Sequence, residues 1–425
     1  MDEIFHILLW QLELGSDDYH CKAKLLRYCS GNWSWDPMIT TPPALYILGM
    51  PFCGFERYTN SVLIAVAFVG FCRFRRLFHK DAIHSSATAT ILFPRHTNSV
   101  LIAIAFVGFC RFRRLFHKDA IHSSATATIL FPVLLHSSVL YYTDLLSVSA
   151  VIWGFTLDSP LLSSLTFAVG VLTRQTNIVW AGFSAAARLV RSVDTSRPIS
   201  SAVSSLFKLS SFIVLAFSFA VFVYINGGIV LGDPSAHHPR LHLAQFLYLA
   251  LFSCVHTWPH IIPRLRVLLT KFFQPLSALL AIPIALSAHY FAYDHPYLLA
   301  DNRHVTFYLW RWWLADPIRR VVLTPLFVGS FVFIRDLSNH LSPFVRILFV
   351  LCSFAVIVPA HLIEPRYFIV PFVLWRLSAK TSSNKFLITL ELLSQFFVFL
   401  AVFLLFIFEP FEWAHEPGIK QRFMW

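Results

Sequence analysis

Long apolar stretches separated by short polar breaks run through most of the chain. Stretches close to the roughly 20 residues that a spanning helix needs occupy Leu206 to Ile225, Pro275 to Ala292, Val321 to Ile334, Val345 to Ala360 and Phe386 to Phe408. Shorter ones cover Thr128 to Tyr142, Leu145 to Leu157, Leu161 to Leu172, Ile178 to Leu189, Ala244 to Val255 and Arg366 to Leu374. This pattern predicts an all-α protein, a polytopic transmembrane helical bundle of about ten to twelve spans. Residues 1–425 are expected to form a single membrane domain.

Polar residues collect between the runs. The densest island, His295 to Trp313, holds two His, two Arg, Asp301 and Asn302. Charged and imidazole groups are costly near a bilayer, so such an island marks a candidate functional site. Three further islands are Trp35 to Tyr46, Arg174 to Asn177 and Asn226 to His242. In the last, His237, His238 and His242 lie near Asp233, but their spacing is a weak match to metal ligands. Hydrogen bonding within the loop is the plainer reading.

Residues 59–94 recur at 97–132 with a single difference, Val66 against Ile104. Repeat folds diverge between copies and need several units to bury a core, so near-identity indicates a recent duplication. Each copy carries an apolar run, Ser61 to Cys72 or Ser99 to Cys110, followed by a basic cluster. For both runs to span in the same direction the chain must return through Ala82 to His96, which is too short and too polar. One copy is therefore expected not to span normally. The hypothesis that a shorter parent was duplicated is tested by the transcript, since a message carrying a single copy marks the second as an artefact.

Composition agrees with a membrane protein. Hydrophobic residues make up 57% and charged ones 13%, with a mean hydropathy of +0.64; soluble domains average about 25% charged. The net charge of +12 could point to nucleic acid. However, the basic residues sit in clusters between apolar runs, at Arg73 to Lys80, Arg111 to Lys118, Arg188 to Arg191, Arg264 to Lys271 and Arg376 to Lys385. That is the positive-inside pattern, so membrane lipid rather than nucleic acid is the expected partner. The seven cysteines show no metal-ligand spacing, and only Cys21 and Cys29 lie close together outside a clear span. The chain opens on Asp2 and Glu3, unlike a cleavable signal peptide. Asn32-Trp33-Ser34 is a glycosylation sequon expected to face the lumen.

Several strings, in order, carry a resemblance to a known family. They are MDEIFHI from Met1, YCSGNWSWDPMITTPPALY from Tyr28, LFPVLLHSSVLYYTD from Leu130 to Asp144 and TRQTNIVW from Thr173. They continue with NGGIVLGDPSAHHPRLHLAQFLY from Asn226, HPYLLADNRHVTFYLWRW from His295, IEPRYFIVP from Ile363 and the final QRFMW. Together they resemble the dolichyl-phosphate-glucose-dependent α-1,2-glucosyltransferases, which add the terminal glucose to the lipid-linked oligosaccharide of N-glycosylation. The family pattern has a helix before MDEIFH and lacks both the segment at residues 8–26 and the repeat within 59–132.

The resemblance implies a GT-C-like enzyme of the endoplasmic reticulum membrane with its active site facing the lumen. It implies dolichyl-phosphate-glucose as donor, the dolichol-linked oligosaccharide as acceptor, inverting chemistry, and no cofactor or metal. A carboxylate must take the acceptor hydroxyl proton, and GT-C enzymes carry such acids in the first luminal loop, which maps to Asp2 and Glu3. Asp2 is the first choice for general base, with Asp36 second. Arg303, His304 and Arg366 are candidates for the leaving phosphate, because a guanidinium donates two parallel hydrogen bonds. The wider substrate-binding set comprises Arg174, Gln175, Asp233, His237, His242, Asp301, Asn302 and Tyr367. Plainer roles stand beside these, including a salt bridge of Arg303 with Asp301 or Asp294, pairing of Arg366 with Glu364, interhelical bonding by Arg174, and an interfacial belt at Phe307 to Trp313. The rival functions are a polytopic transporter and an inactive or scaffold-like duplicate of the enzyme. Complementation of cells that accumulate oligosaccharide one glucose short separates them.

Overall fold

The computed structural model describes residues 96–140, 142–231, 238–414, 417–418 and 420–425. Asp2, Glu3, Asp36, Asp233 and His237 lie outside the described residues, as do the Cys21 and Cys29 pair, the Asn32 sequon and the first repeat copy. The described part is mostly helix, as the apolar runs predicted.

Caps, prolines and glycines divide the chain. α1 (His96–Arg114) holds the apolar run of the second repeat copy and ends on Arg111, Arg113 and Arg114. α2 (Ile121–Ile129) and α3 (Pro132–Val139) split the run expected over Thr128 to Tyr142, because Pro132 lacks an amide donor and cannot continue the preceding turn. α4 (Asp144–Thr156) precedes α5 (Pro160–Val171), which Ser159 caps by accepting from the Leu162 amide at 3.4 Å. α6 (Asn177–Ser192), α7 (Pro198–Lys208) and α8 (Ser210–Asn226) follow. The expected span Leu206 to Ile225 is divided at Leu209, where α7 and α8 meet at 65°. Gly227 closes α8 with φ 72°, a left-handed conformation that costs glycine nothing.

The second half contains α9 (Ala244–His256), α10 (Leu265–Phe272), α11 (Pro275–Tyr290) and the short α12 (Pro296–Ala300) and α13 (Val305–Leu309). A π-helical turn, Trp310–Leu314, leads into α14 (Pro317–Val322) and α15 (Thr324–Ser338). α16 (Pro343–Ile357), α17 (Ile369–Ser378) and α18 (Lys385–Phe408) come next, and the chain finishes with antiparallel β1 (Phe411–Glu412) and β2 (Lys420–Gln421). Among the described residues, Pro317–Ser338 and Lys385–Phe408 are long and apolar enough to cross a membrane, and counting each bent helix pair as one span raises the number to five.

α4 packs between α1 and α5, and glycines set how closely. A Cβ on Gly154 would lie 2.6 Å from the Phe167 ring, and one on Gly108 would lie 2.9 Å from Trp153 Nε1. Trp153 in turn donates to the Ile104 carbonyl at 3.0 Å, tying α4 to α1. Phe109, Phe131, Leu145, Phe167, Trp180 and Phe372 fill the main core. On the outside, α8 buries only Phe212, while Phe217 is 68% and Tyr224 88% exposed. So broad an apolar face would drive aggregation in water, whereas lipid tails cover it at no cost.

The basic clusters among the described residues, from Arg111 onward, meet at one end of the bundle. Arg113 donates to the carbonyls of Leu377 at 3.0 Å and Ala379 at 2.6 Å, and Arg264 to that of Lys380 at 3.0 Å. Phe112 packs edge-on against Phe155, next to the turn where Arg188 donates to the Leu157 and Asp158 carbonyls. At this end a fully buried Glu391 accepts from Arg376 at 2.8 and 2.7 Å and pairs with His260 at 3.0 Å. α10 lies in a segment at 86° to α11, as an amphipathic helix at a membrane surface would. The opposite end collects the turns before α4 and α6, the segments flanking α12 and α13, the turn before α17 and the chain after α18.

Candidate active site

Asp144 is the hub of that opposite end. It opens α4, between two apolar runs, and is only 2% exposed. A carboxylate so buried stays charged only when its oxygens are paired. Arg174 reaches Oδ1 at 2.5 Å and Arg366 Nε reaches Oδ2 at 3.0 Å. Arg174 is aimed by the turn between α5 and α6, where Asn177 Nδ2 donates to the Gly170 carbonyl and to Ser147 Oγ, each at 2.8 Å. Gln175 is buried in the same turn. Arg366 sits on the 3-10 turn Pro365–Phe368, also contacts Glu364 at 3.4 Å, and lies 4.3 Å over the Tyr142 ring. Tyr367 receives the Arg174 guanidinium on its face at 5.9 Å.

Asp301 anchors a second group. It accepts from the Arg303 amide at 3.1 Å and from Arg303 Nε and Nη2 at 2.9 and 2.7 Å, a bidentate fork of the strong charge-assisted kind. His304 Nε2 lies 3.5 Å from Asp301 Oδ2, and its Nδ1 lies 2.6 Å from the Trp425 main-chain oxygen. Both ring nitrogens thus face acceptors, which suits an imidazolium. Burial alone would lower the His304 pKa, but the Asp301 hydrogen bond and charge outweigh it and raise it. Burial likewise pushes Asp301 up, and His304 and Arg303 overcome this to hold it well below the usual carboxylate range.

The end of the chain straps this group in place. The Met424 amide donates to the Arg303 carbonyl at 2.8 Å and the Val305 amide to that of Met424 at 3.2 Å. Trp413 lies under the Arg303 guanidinium at 4.9 Å and donates to Asn302 Oδ1 at 2.7 Å. Arg303 also donates to Gln421 at 3.2 Å. The two groups are continuous, because Tyr142, stacked on Arg366, donates to Met424 Sδ at 3.6 Å.

The fold therefore brings Arg174, Gln175, Arg366 and Tyr367 together with Asp301, Asn302, Arg303 and His304. The ion pairs of Arg303 with Asp301 and of Arg366 with Glu364 are both formed. The hydrogen bonds of Arg366 run from Nε to Asp144 and from Nη1 to Glu364, leaving Nη2 with none among the described residues. His242 stands apart. Its ring is fully buried, with Nδ1 at 3.1 Å from the His361 carbonyl and Nε2 accepting from the Tyr293 amide at 3.3 Å. Burial pushes it down to about 4, so it is a neutral clamp between loops and both nitrogens are already engaged. Trp312 and Trp313 point outward, 60% and 51% exposed, as belt residues do. Sequence reasoning missed Asp144, Tyr142, Trp413 and Met424. An acid at the junction of two apolar runs was the available signal for Asp144; Tyr142 and Met424 fall within strings that carry the family resemblance, and nothing local marks Trp413.

Lipid-facing helices with a charged, arginine-rich chamber at one end define a helical membrane protein with a polar site at one surface. A sequence model of the DIE2/ALG10 family matches residues 1–205 and 194–377, and the chain belongs to that family. It is 30% identical to a protein of Arabidopsis thaliana, with all of this chain and 94% of the relative covered. The figures are 29% and 93% for a Homo sapiens relative and 28% and 92% for one from Yarrowia lipolytica, again across the whole chain. Each of the three is named Dol-P-Glc:Glc(2)Man(9)GlcNAc(2)-PP-Dol alpha-1,2-glucosyltransferase. No solved structure matches the chain.

Proposed function

We propose that this chain transfers glucose from dolichyl-phosphate-glucose, in α-1,2 linkage, to the terminal glucose of the dolichol-diphosphate-linked oligosaccharide. The setting is the endoplasmic reticulum membrane, with the chamber facing the lumen and a bundle of about ten to twelve spans around it. The observation that carries the reading is the convergence of Arg174, Arg303, His304 and Arg366, from segments far apart in sequence, at the end of the bundle away from the basic clusters.

The chemistry follows from the linkage. A β-linked donor and an α product require the acceptor 2-hydroxyl to attack the anomeric carbon from the face opposite the phosphate. A carboxylate that removes the hydroxyl proton contributes typically ~10²- to 10⁴-fold. Asp2 is the proposed base, with Glu3 beside it and Asp36 as the alternative. The departing dolichyl phosphate gains charge as the glycosyl bond breaks, and preorganised cations stabilise that change most where water is excluded. Arg366 and Arg303 are the proposed cations, and Asp144 and Asp301 hold them in place. A single phosphate group carries less charge than a nucleotide diphosphate, so two guanidiniums and an imidazolium suffice and the transfer is metal-independent.

The test uses membranes from cells lacking the final glucosylation step, supplied with this chain and labelled dolichyl-phosphate-glucose. The oligosaccharide should gain one hexose, removable by an α-1,2-specific glucosidase. Correct membrane insertion without any transfer would overturn the proposal.

A further inference from the structure

A cavity of about 840 Å³ lies at the other end of the molecule, among α6, α11, α15 and α16. Its depth is apolar, formed by residues such as Phe246, Ile284, Phe331 and Phe349. Such a lining favours an acyl chain over water, and the volume falls within the usual range for bound ligands. Among the described residues four arginines line it, Arg188 and Arg191 from the end of α6, Arg335 from α15 and Arg346 from α16, against one carboxylate, that of Asp158.

Those arginines are poorly neutralised. Arg191, Arg335 and Arg346 pair with no carboxylate among the described residues. Arg346 donates to Asn339 at 3.2 Å, while its buried Nε has no hydrogen-bond partner. Asp336, next to Arg335 in sequence, is taken by Arg264 at 3.0 Å and by Lys271. Excess positive charge therefore lies over an apolar pit, at the end where the basic clusters gather.

We propose that this cavity binds an anionic glycerophospholipid from the leaflet at the basic end, its acyl chain in the pit and its phosphodiester on Arg335, Arg346 and Arg191. Basic pockets between membrane helices recognise such headgroups, and guanidinium groups suit a phosphodiester oxygen pair. The apolar depth excludes a free phosphate as the natural occupant, and the separation from Arg366 and Arg303 makes this a site distinct from the glucosyl donor's.

The test is native mass spectrometry of the full chain released from nanodiscs of phosphatidylcholine doped with phosphatidylinositol. Phosphatidylinositol should be retained selectively, and retention should weaken as salt rises, because exposed charges are screened. The double variant Arg335→Gln, Arg346→Gln should bind it on the order of tenfold less tightly, with glucosyl transfer in pure phosphatidylcholine unchanged. Retention without preference over phosphatidylcholine, or insensitive to salt, would overturn the proposal, even if the variant failed to fold. With dolichyl phosphate added to the same nanodiscs, its retention in place of the phospholipid would overturn it too.

Discussion

Replacing Asp144 with Asn keeps the side chain's shape and removes its charge, leaving two guanidiniums facing each other at the heart of the chamber. Removing one partner of a fully buried ion pair costs about 3–5 kcal/mol. Here Arg174 and Arg366 keep 15% and 20% of their side-chain surface, so solvent recovers part of the loss and about 2–4 kcal/mol is expected. At roughly 2 °C per kcal/mol for a chain of this size, the unfolding midpoint in detergent should fall by about 4–8 °C. The assay is a double-mutant cycle with Arg366→Gln, read by thermal unfolding and by glucosyl transfer. Because the double variant removes the stranded cation along with its partner, it should be less damaged than the two singles sum to, with a coupling of about 0.5–3 kcal/mol. A midpoint within about 1 °C of wild type for Asp144→Asn, or strictly additive effects, would refute the argument that this carboxylate organises the chamber.

Four further outcomes follow from the same geometry. Gly154→Ala drives a Cβ to 2.6 Å from Phe167 and should cost about 1–3 kcal/mol, whereas Gly170→Ala, with its nearest neighbour at 3.5 Å, should be neutral or stabilising; unfolding midpoints decide between them. His304 has a raised native pKa, so its charged form stabilises fully below the unfolded value of about 6.5 and loses that contribution as pH rises through the native value. The midpoint advantage of wild type over His304→Gln should therefore shrink above about pH 6.5, and an advantage growing with pH contradicts the assignment. Arg303→Lys keeps the charge but loses the fork to Asp301, so transfer should drop by on the order of tenfold or more with little change in midpoint. Treatment with EDTA should leave transfer intact, and loss of activity restored by Mn²⁺ would show that the cations of the chamber are not enough.

The apolar runs were legible because a bilayer imposes length and composition directly on each span, and α11, α16 and α18 start near where the pattern put them. Residues whose partners are distant were not. Arg303 offered Asp301 or Asp294 as partners on spacing alone, and backbone geometry chose Asp301. His242 lay in a histidine-rich loop that invited a ligand role, but its partners are main-chain groups at Tyr293 and His361, invisible to local pattern. The Leu206 to Ile225 run gave no sign of its bend at Leu209, because the polar face of α7 contributes only scattered serines and Lys208.

On its own, then, the order of residues determined that this is a helical membrane protein, which loops are basic, and where short polar strings interrupt the apolar runs. Those properties follow from the burial cost of each residue, summed locally, and need no knowledge of the fold. Only the tertiary structure decided that Asp144 neutralises arginines from two other segments, that the chain's last residues clasp Arg303 and His304, and that four arginines rim an apolar cavity at the far end. Each of these depends on which helices stand side by side. That is set by the joint packing of glycines, aromatic rings and buried charges over the whole bundle, which no single segment records.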